Sequence, residues 1–520
     1  MTKDIIVLQV GKEDWSSTLE LPERVEWQFC PSTAIDAFLE KKAERKAQQA
    51  PEDKTPVSIY FHAVMITDSV TESQLECLED SVDPYTVFVD KQVNLTKEDS
   101  KGFLARKRIR IIDFSTNRQE KITWLSNNIY PGFYGAKLKT GDLDISPIFK
   151  GKVTYDGHVS TNVEGHFGED FRQVATFRYS LNTNHCAQEI WQEYMKTPGC
   201  QIQLRIDKLQ RGSLYTVLET LQLDEADMEK PYVLEKEDEV GFYAISIWAK
   251  GEGRIQLGPL HYRFSRQGLG QFLPGGERFA DRKRQEVISY FHPGDMKPPL
   301  NVYFSGYRSA EGFEGYFMMR RMNAPFVLIG DPRLEGGGFY TGTPELESCI
   351  ERVIQEALDY LGFSSDQLIL SGLSMGTFGA LYYASSFEPH AVIVGKPFTN
   401  VGDTAKALKL KRPNEFATSL DILLNMTGGS SEWDIQVLND YFWKKFEKAR
   451  FDRTTFAIAY MEHDDYDNTA YERLVTYATQ RNIHIYGKGY LGRHNDNSRA
   501  INAWFINQYQ TILREDFGRK

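Results

Sequence analysis

Residues 368–384, LILSGLSMGTFGALYYA, constrain this chain more than any other stretch. An apolar strand pattern at 368–371 runs into Gly372-Leu373-Ser374-Met375-Gly376, and a helical pattern with small residues at Gly379 and Ala380 follows. A G-x-S-x-G run between strand and helix makes a sharp turn that lifts a serine hydroxyl to the edge of a sheet. The turn strains the serine backbone, and glycine on either side supplies clearance. Ser374 would then stand at a helix N-terminus, where free amides and the helix dipole favour developing negative charge. The spacing predicts an activated serine, with an ordinary Gly/Ser turn as the plain alternative.

At 520 residues the chain exceeds one core and predicts several domains. Charged residues are 26% and hydrophobic ones 41%, as in soluble globular proteins. A net charge of −11 argues against a nucleic-acid-binding face. Cys30, Cys77, Cys186, Cys200 and Cys349 are scattered and odd in number, which fits a reducing compartment and neither a disulfide framework nor a metal site. The first residues carry too short an apolar run for a signal peptide, and no apolar run of membrane-spanning length follows. The expectation is a cytoplasmic protein that meets a membrane only peripherally, through partners.

Residues 1–128 alternate strands (5–10, 25–29, 57–65, 85–89) with helices (34–50 and near 75–77) and read as a small α/β domain. His62 reads as a satisfied sheet histidine. Residues 129–270 lose helical signals, and short alternating strands recur at 176–181, 201–206, 215–223, 241–249, 254–257 and 262–264. That pattern predicts an antiparallel β-sandwich, with a jelly roll as one form of it. Its last strands resemble carbohydrate-binding-module sandwiches, in which Tyr243, Trp248 and Tyr262 either stack on sugar or pack the core. The Gly/Pro-rich stretch 268–276 reads as a linker or boundary.

Residues 277–520 return to βα alternation, with strands at 300–305, 325–330, 391–394, 455–460 and 483–486 and a closing helix over 498–513. A parallel sheet flanked by helices is the economical architecture, with chemistry at the C-terminal ends of its strands. An insertion at about 398–451 stands where a cap over the site would sit. Its stripe of Trp433, Val437, Leu438, Tyr441, Phe442 and Phe446 lines a pocket or simply docks its helix.

A serine hydroxyl needs a base, and the base needs an orienting carboxylate. In α/β-hydrolases these follow the serine in the order acid, then histidine, on loops after late strands. The strand at 455–460 opens into Glu462-His463-Asp464-Asp465, and the strand at 483–486 opens into a loop carrying His494. His494 is therefore the candidate base, and Asp464 the candidate acid, with Asp465 and then Glu462 as alternatives. The oxyanion hole draws one amide from Met375 and a second, by position, from Tyr307 after Gly306; the HGGG motif of many esterases is absent. No metal or bound cofactor is expected.

GLSMGTFGALYYA, YMEHDDYDNTAYERLV, GYLGRHNDNSRAINAWF and SRQGLGQFLPGG together resemble the family of second accessory proteins of the accessory Sec system of Gram-positive bacteria, over essentially the whole chain. The resemblance implies a cytoplasmic protein with an α/β-hydrolase-like domain. It implies partners among the other accessory Sec proteins and the accessory Sec motor ATPase, in the export of serine-rich-repeat glycoprotein adhesins. It also implies O-acetylation of N-acetylglucosamine on those adhesins, which requires an acetyl donor of unstated identity. The family's serine and histidine fall on Ser374 and His494, and its acid falls in the 462–465 loop. A carbohydrate or acetyl esterase with the same triad is one alternative reading. A non-enzymatic assembly or targeting factor is the other.

Overall fold

A computed structural model describes residues 4–49, 59–95, 100–411 and 418–519. Ala50 of the first predicted helix, Val57 and Ser58 of the predicted strand, and residues 412–417 of the insertion lie outside them. The chain is a mixed α/β protein with parallel and antiparallel sheets. It divides into two compact units. The first comprises residues 1–133 with 266–276 and 292–297, and the second takes 134–265, 277–291 and 298–520.

In the first unit, strands β1 (Ile5–Gly11), β2 (Val25–Pro31), β3 (Ala63–Ile66), β4 (Val87–Asp90) and β5 (Arg110–Ile112) form one parallel sheet in the order β2-β1-β3-β4-β5. Helices α1 (Ile35–Gln49) and α2 (Arg118–Asn128) connect strands of this sheet or follow it. The Ile6 N–H donates to His62 Nδ1 at 3.0 Å and the His62 N–H to the Ile6 carbonyl at 2.8 Å, so this histidine, just before β3, is satisfied by β1. Burial pushes its pKa down. The stretch expected as a linker is instead packed within this unit. The buried Arg266 guanidinium donates to the carbonyls of Phe272, Asn128, Tyr130 and Gly132, and Gly275 lies flat on the Tyr85 ring. Chain composition marks turns there, but a buried cation with four backbone acceptors makes those turns rigid.

The second unit opens with an antiparallel assembly of ten strands. Its main members are β6 (Lys152–Asp156), β7 (Ser160–Phe177), β8 (Gln188–Lys196), β9 (Cys200–Gln210), β10 (Val217–Leu223) and β11 (Val240–Phe264). The three short strands expected over 241–264 are one 25-residue strand, β11. It is bulged near Gly251, which carries φ of +86°, and pairs with β7 on one side and with β8 and β9 on the other. Bulges bend a long strand without ending it. Tyr243 is in the core, the Arg205 guanidinium lies 3.6 Å from the Trp248 ring centroid, and Tyr262 packs against Tyr134. None of the three offers an open stacking platform.

The rest of the unit is an eight-stranded sheet. Its strands are β12 (Glu277–Ala280), β13 (Glu286–His292), β14 (Leu300–Phe304), β15 (Phe326–Gly330), β16 (Leu368–Leu373), β17 (Ala391–Gly395), β18 (Thr455–Met461) and β19 (His484–Tyr490), in the order β12-β13-β15-β14-β16-β17-β18-β19. From β15 onward every pairing is parallel. Strands β14 to β17 are buried along their length, as a sheet covered on both faces requires. Helices α3 (Pro344–Leu361), α4 (Met375–Phe387), α5 (Val401–Lys411), α6 (Thr418–Thr427), α7 (Glu432–Phe446), α8 (Ala470–Arg481) and α9 (Ser498–Glu515) accompany them. Among the described residues, no helix is long and apolar enough to cross a membrane.

Candidate active site

The turn between β16 and α4 is as tight as its glycines imply. Ser374 has φ +51° and ψ −122°, a conformation that an L-residue holds only when its surroundings impose it. A Cβ on Gly372 would come within 2.3 Å of the Gly376 carbonyl oxygen. One on Gly376 would come within 2.0 Å of the Phe304 carbonyl oxygen at the end of β14. The Ser374 N–H donates to the Gly395 carbonyl at 2.8 Å, which ties the turn to β17. Neighbours on both sides therefore hold the strained serine.

Two loops converge on its hydroxyl. Ser374 Oγ lies 2.8 Å from His494 Nε2, and His494 Nδ1 lies 2.8 Å from Asp464 Oδ2. The other Asp464 oxygen accepts the N–H groups of Tyr466 and Asp467, which fixes the carboxylate's direction. Asp465 does something different: its Oδ1 accepts the His494 backbone N–H at 3.0 Å, so it grips the loop rather than the ring. Glu462 is exposed, and its N–H donates to the Tyr490 carbonyl. His494 is 2% exposed, stacked on Tyr466 with centroids 4.4 Å apart and planes 7° apart, and flanked by Phe398. Buried Asp467 holds the Phe398 side of this pocket by accepting the N–H groups of Thr399 and Asn400 at 2.7 Å. Burial raises the Asp467 pKa against those hydrogen bonds.

Such an arrangement can move a proton from a hydroxyl to an imidazole whose other nitrogen is held by a carboxylate. Met375 is the first residue of α4, so helix geometry leaves its N–H without an intrahelical acceptor beside Ser374. Tyr307 follows Gly306, whose N–H donates to Glu314 Oε2 at 2.7 Å and whose added Cβ would lie 3.3 Å from the Leu373 carbonyl oxygen. The Tyr307 loop thus runs alongside the serine turn.

A family model described as "Accessory Sec system GspB-transporter" matches residues 5–519 of the chain. A curated accessory Sec system protein of Streptococcus gordonii, the second of its series, is 40% identical over 521 residues, with all of both chains covered. Its counterpart in Staphylococcus aureus is 39% identical and covers all of this chain and 98% of that one. This chain belongs to the accessory Sec system GspB-transporter family. The chain is also similar in structure to one solved in the Glycosylation Associate Protein (Gap123) complex from Streptococcus agalactiae, with a TM-score of 0.92, 40% identity and full coverage of both chains.

Sequence reasoning missed the loop behind Met375 in this family member. Gly336-Gly337-Gly338 follows β15; an added Cβ on Gly336 would strike the Tyr307 ring at 2.1 Å, and one on Gly337 the Met375 thioether methyl at 2.3 Å. The Arg308 N–H donates to the Gly336 carbonyl at 3.2 Å. A fully buried Asp331–Arg333 ion pair sets the loop's shape, with Asp331 also accepting the N–H groups of Gly338 and Tyr340. The three-glycine run after an apolar strand was the signal available in the sequence.

The insertion's stripe mostly docks its own helix. Leu438, Phe442 and Phe446 of α7 are buried, with Phe442 against Phe378 of α4, while Trp433 is 71% exposed. One group has metal-ligand spacing among the described residues: His261, Glu286 and Glu311. The Arg263 guanidinium already bonds both of its carboxylates, which makes this an ion cluster rather than a vacant metal centre.

Gly376→Ala should separate turn geometry from serine chemistry. A methyl group driven into the Phe304 carbonyl displaces the turn, and a misplacement of about 1 Å costs roughly 100-fold in rate. Activity on an acyl ester should fall by that order, with a lowered melting temperature. Wild-type turnover in this variant would refute the tight-turn account.

Proposed function

We propose that the chain is a serine-dependent O-acetyltransferase of the α/β-hydrolase type, acting in the cytoplasm on N-acetylglucosamine of serine-rich-repeat glycoprotein adhesins. On this reading it works with the other accessory Sec proteins and the accessory Sec motor ATPase in exporting those adhesins, and meets the membrane through them. The observation that carries the acyl-transfer part is the continuous path from Ser374 Oγ through His494 to Asp464, at 2.8 Å per step, on a strained strand-to-helix turn. Family membership supports the export setting, and the structural similarity to a chain solved in the Gap123 complex supports partnership with companion proteins.

In the proposed reaction His494 Nε2 takes the Ser374 proton as Oγ attacks the acetyl carbonyl. Asp464 keeps the proton on Nδ1 and stabilises the imidazolium. Amides of Met375 and Tyr307 hold the oxyanion, each donor of this kind contributing about 3 kcal/mol. His494 returns its proton to the leaving group, and an acetyl-serine remains. A sugar hydroxyl then gives its proton to His494 and attacks the ester, and the bond to Ser374 Oγ breaks as His494 returns that proton to the serine.

The test incubates the protein with an activated acetyl ester and a serine peptide carrying O-linked N-acetylglucosamine. The expected result is a glycopeptide that gains acetyl mass, and no gain with Ser374→Ala. Release of acetate without any acetylated glycopeptide would replace the transferase reading with an esterase.

A further inference from the structure

Between the antiparallel assembly and α6 lies a cavity of about 550 Å³ that none of Ser374, Asp464 and His494 lines. That volume falls in the range of about 300–1,000 Å³ typical of small-molecule sites. One wall is the turn from β6 to β7, with Asp156 and Ser160. A second is β11, which presents Arg254 and Gln256, and the facing wall is the C-terminal end of α6 with Asn425.

These groups are held before any ligand arrives. Asp156 accepts from Asn162 Nδ2 at 2.9 Å, Gln256 Nε2 donates to Ser160 Oγ at 2.9 Å, and Arg254 donates to Asn162 Oδ1 at 3.0 Å. Asn425 and Gln285 pair amide to amide across the floor, at 2.9 and 3.2 Å. Each uses part of its hydrogen-bonding capacity in the wall and keeps further donors or acceptors for the cavity. Fixed carboxylate, amide and guanidinium groups side by side suit a neutral ligand whose every hydroxyl both donates and accepts. Acidic Asp156 and Glu193 match basic Arg254 and Lys283 in number, so the lining has no excess of cations to recruit a phosphate, and the polar walls disfavour a lipid.

The cavity is also wired to the serine turn. The His158 N–H, from the same β6–β7 turn, donates to Asp421 of α6 at 3.0 Å. In the same first turn of this helix, Thr418 Oγ1 donates to the Gly337 carbonyl at 2.7 Å, and Gly337 abuts Met375, while Leu424 to Thr427 at the helix's other end line the cavity. Ten helical residues span about 15 Å, so the cavity and the turn stand at opposite ends of one short rod.

We infer that this cavity is a carbohydrate-binding subsite that holds the glycan of the substrate while a more distal sugar reaches Ser374. The inference rests on the sugar-acetylation reading for its substrate. Binding energy gathered at such a subsite is present equally before and during the reaction, so it lowers KM for the glycopeptide.

Met195→Trp, at an exposed rim position, and Lys283→Ala, at a half-buried one, alter the cavity without touching the serine turn. The probe is a serine peptide carrying an O-linked disaccharide with N-acetylglucosamine as its distal sugar, titrated calorimetrically against full-length Ser374→Ala with and without each change. Each should raise Kd about tenfold. In the Ser374-containing protein each should raise KM for the glycopeptide by the same factor, with kcat and cleavage of a small acetyl ester unchanged. Unchanged Kd and KM in both variants would overturn the subsite, whereas the serine assignment stands or falls on ester cleavage by wild type against Ser374→Ala. Loss of ester cleavage along with glycopeptide binding would also overturn it, by revealing general damage instead of a lost subsite.

Discussion

Ser374→Ala should abolish acyl transfer, by a factor of order 10⁴ to 10⁶ in kcat, while leaving the melting temperature within a degree or two. The side chain lost is small, and relief of the hydroxyl changes no backbone bond of the turn, since Ser374 N–H and carbonyl are used by Gly395 and Thr377. Asp464→Asn should come close behind. An amide there either turns the His494 ring to the wrong tautomer or leaves it without an acceptor, a change costing about 10⁴ in serine proteases. Asp465→Asn supplies the internal contrast. Its carboxylate holds the His494 backbone N–H, an acceptor role that an amide oxygen keeps, so the expected loss is about tenfold or less. Single-turnover kinetics with an acetyl ester, with deacylation followed separately, distinguishes the three. Equal losses for Asp464→Asn and Asp465→Asn would remove the distinction drawn between orienting the ring and gripping the loop.

Arg263→Met should cost about 3–5 kcal/mol of stability, the usual result of stranding a buried charge. Arg263 Nη2 donates to Glu286 and, at 2.8 Å, to Glu311 Oε2, and Arg278 Nε donates to Glu286 Oε2 at 2.7 Å. His261 bridges Glu311 and Glu193 at 2.5 and 2.9 Å. All of these except the half-buried Arg278 are sealed from water, and they join β11 and β8 to β13 and the 311 loop. Removing the guanidinium takes from Glu286 and Glu311 the one buried cation that bonds both, leaving Arg278 at Glu286 and the His261 imidazolium at Glu311.

The same cluster makes stability fall with alkali. Burial opposes a charge on His261, but Glu311, Glu193 and Glu286 outweigh it and raise the pKa from 6.5 to about 9. A pKa raised on folding adds stability that is whole below about 6.5 and is lost as pH climbs through about 9. Urea unfolding followed by tryptophan fluorescence should show the midpoint dropping across that window, and His261→Gln should flatten the drop. A midpoint indifferent to both Arg263→Met and alkali would mean that the cluster contributes nothing to holding these elements together.

Local pattern made much of the serine turn legible. Small residues at 372 and 376 around a serine, strand before and helix after, describe a turn whose neighbours must be hydrogen-sized, and the two forbidden Cβ positions give the reason. Apolar periodicity likewise marks out β16, α3 and α4 in the sequence. By contrast, the breaks expected within β11 fall at Gly251 and Gly253 and at Gly258-Pro259, residues that occur at bulges and edges as well as at strand ends; only pairing partners on both edges distinguish the two.

The sequence by itself determined the family, the serine turn and the late loops that carry Asp464 and His494. Tertiary structure alone decided which of two adjacent aspartates meets the His494 ring. Neighbouring loop side chains diverge, and their directions follow from backbone bonds to Tyr466, Asp467 and Gly492 that no periodicity encodes. It also decided that charges from positions 193, 261, 263, 286 and 311 share one dry interior, and that α6 lies between a polar cavity and the serine turn. Such arrangements join residues tens to hundreds of positions apart. Their energies depend on exclusion of water, which arises only once the chain has closed around them.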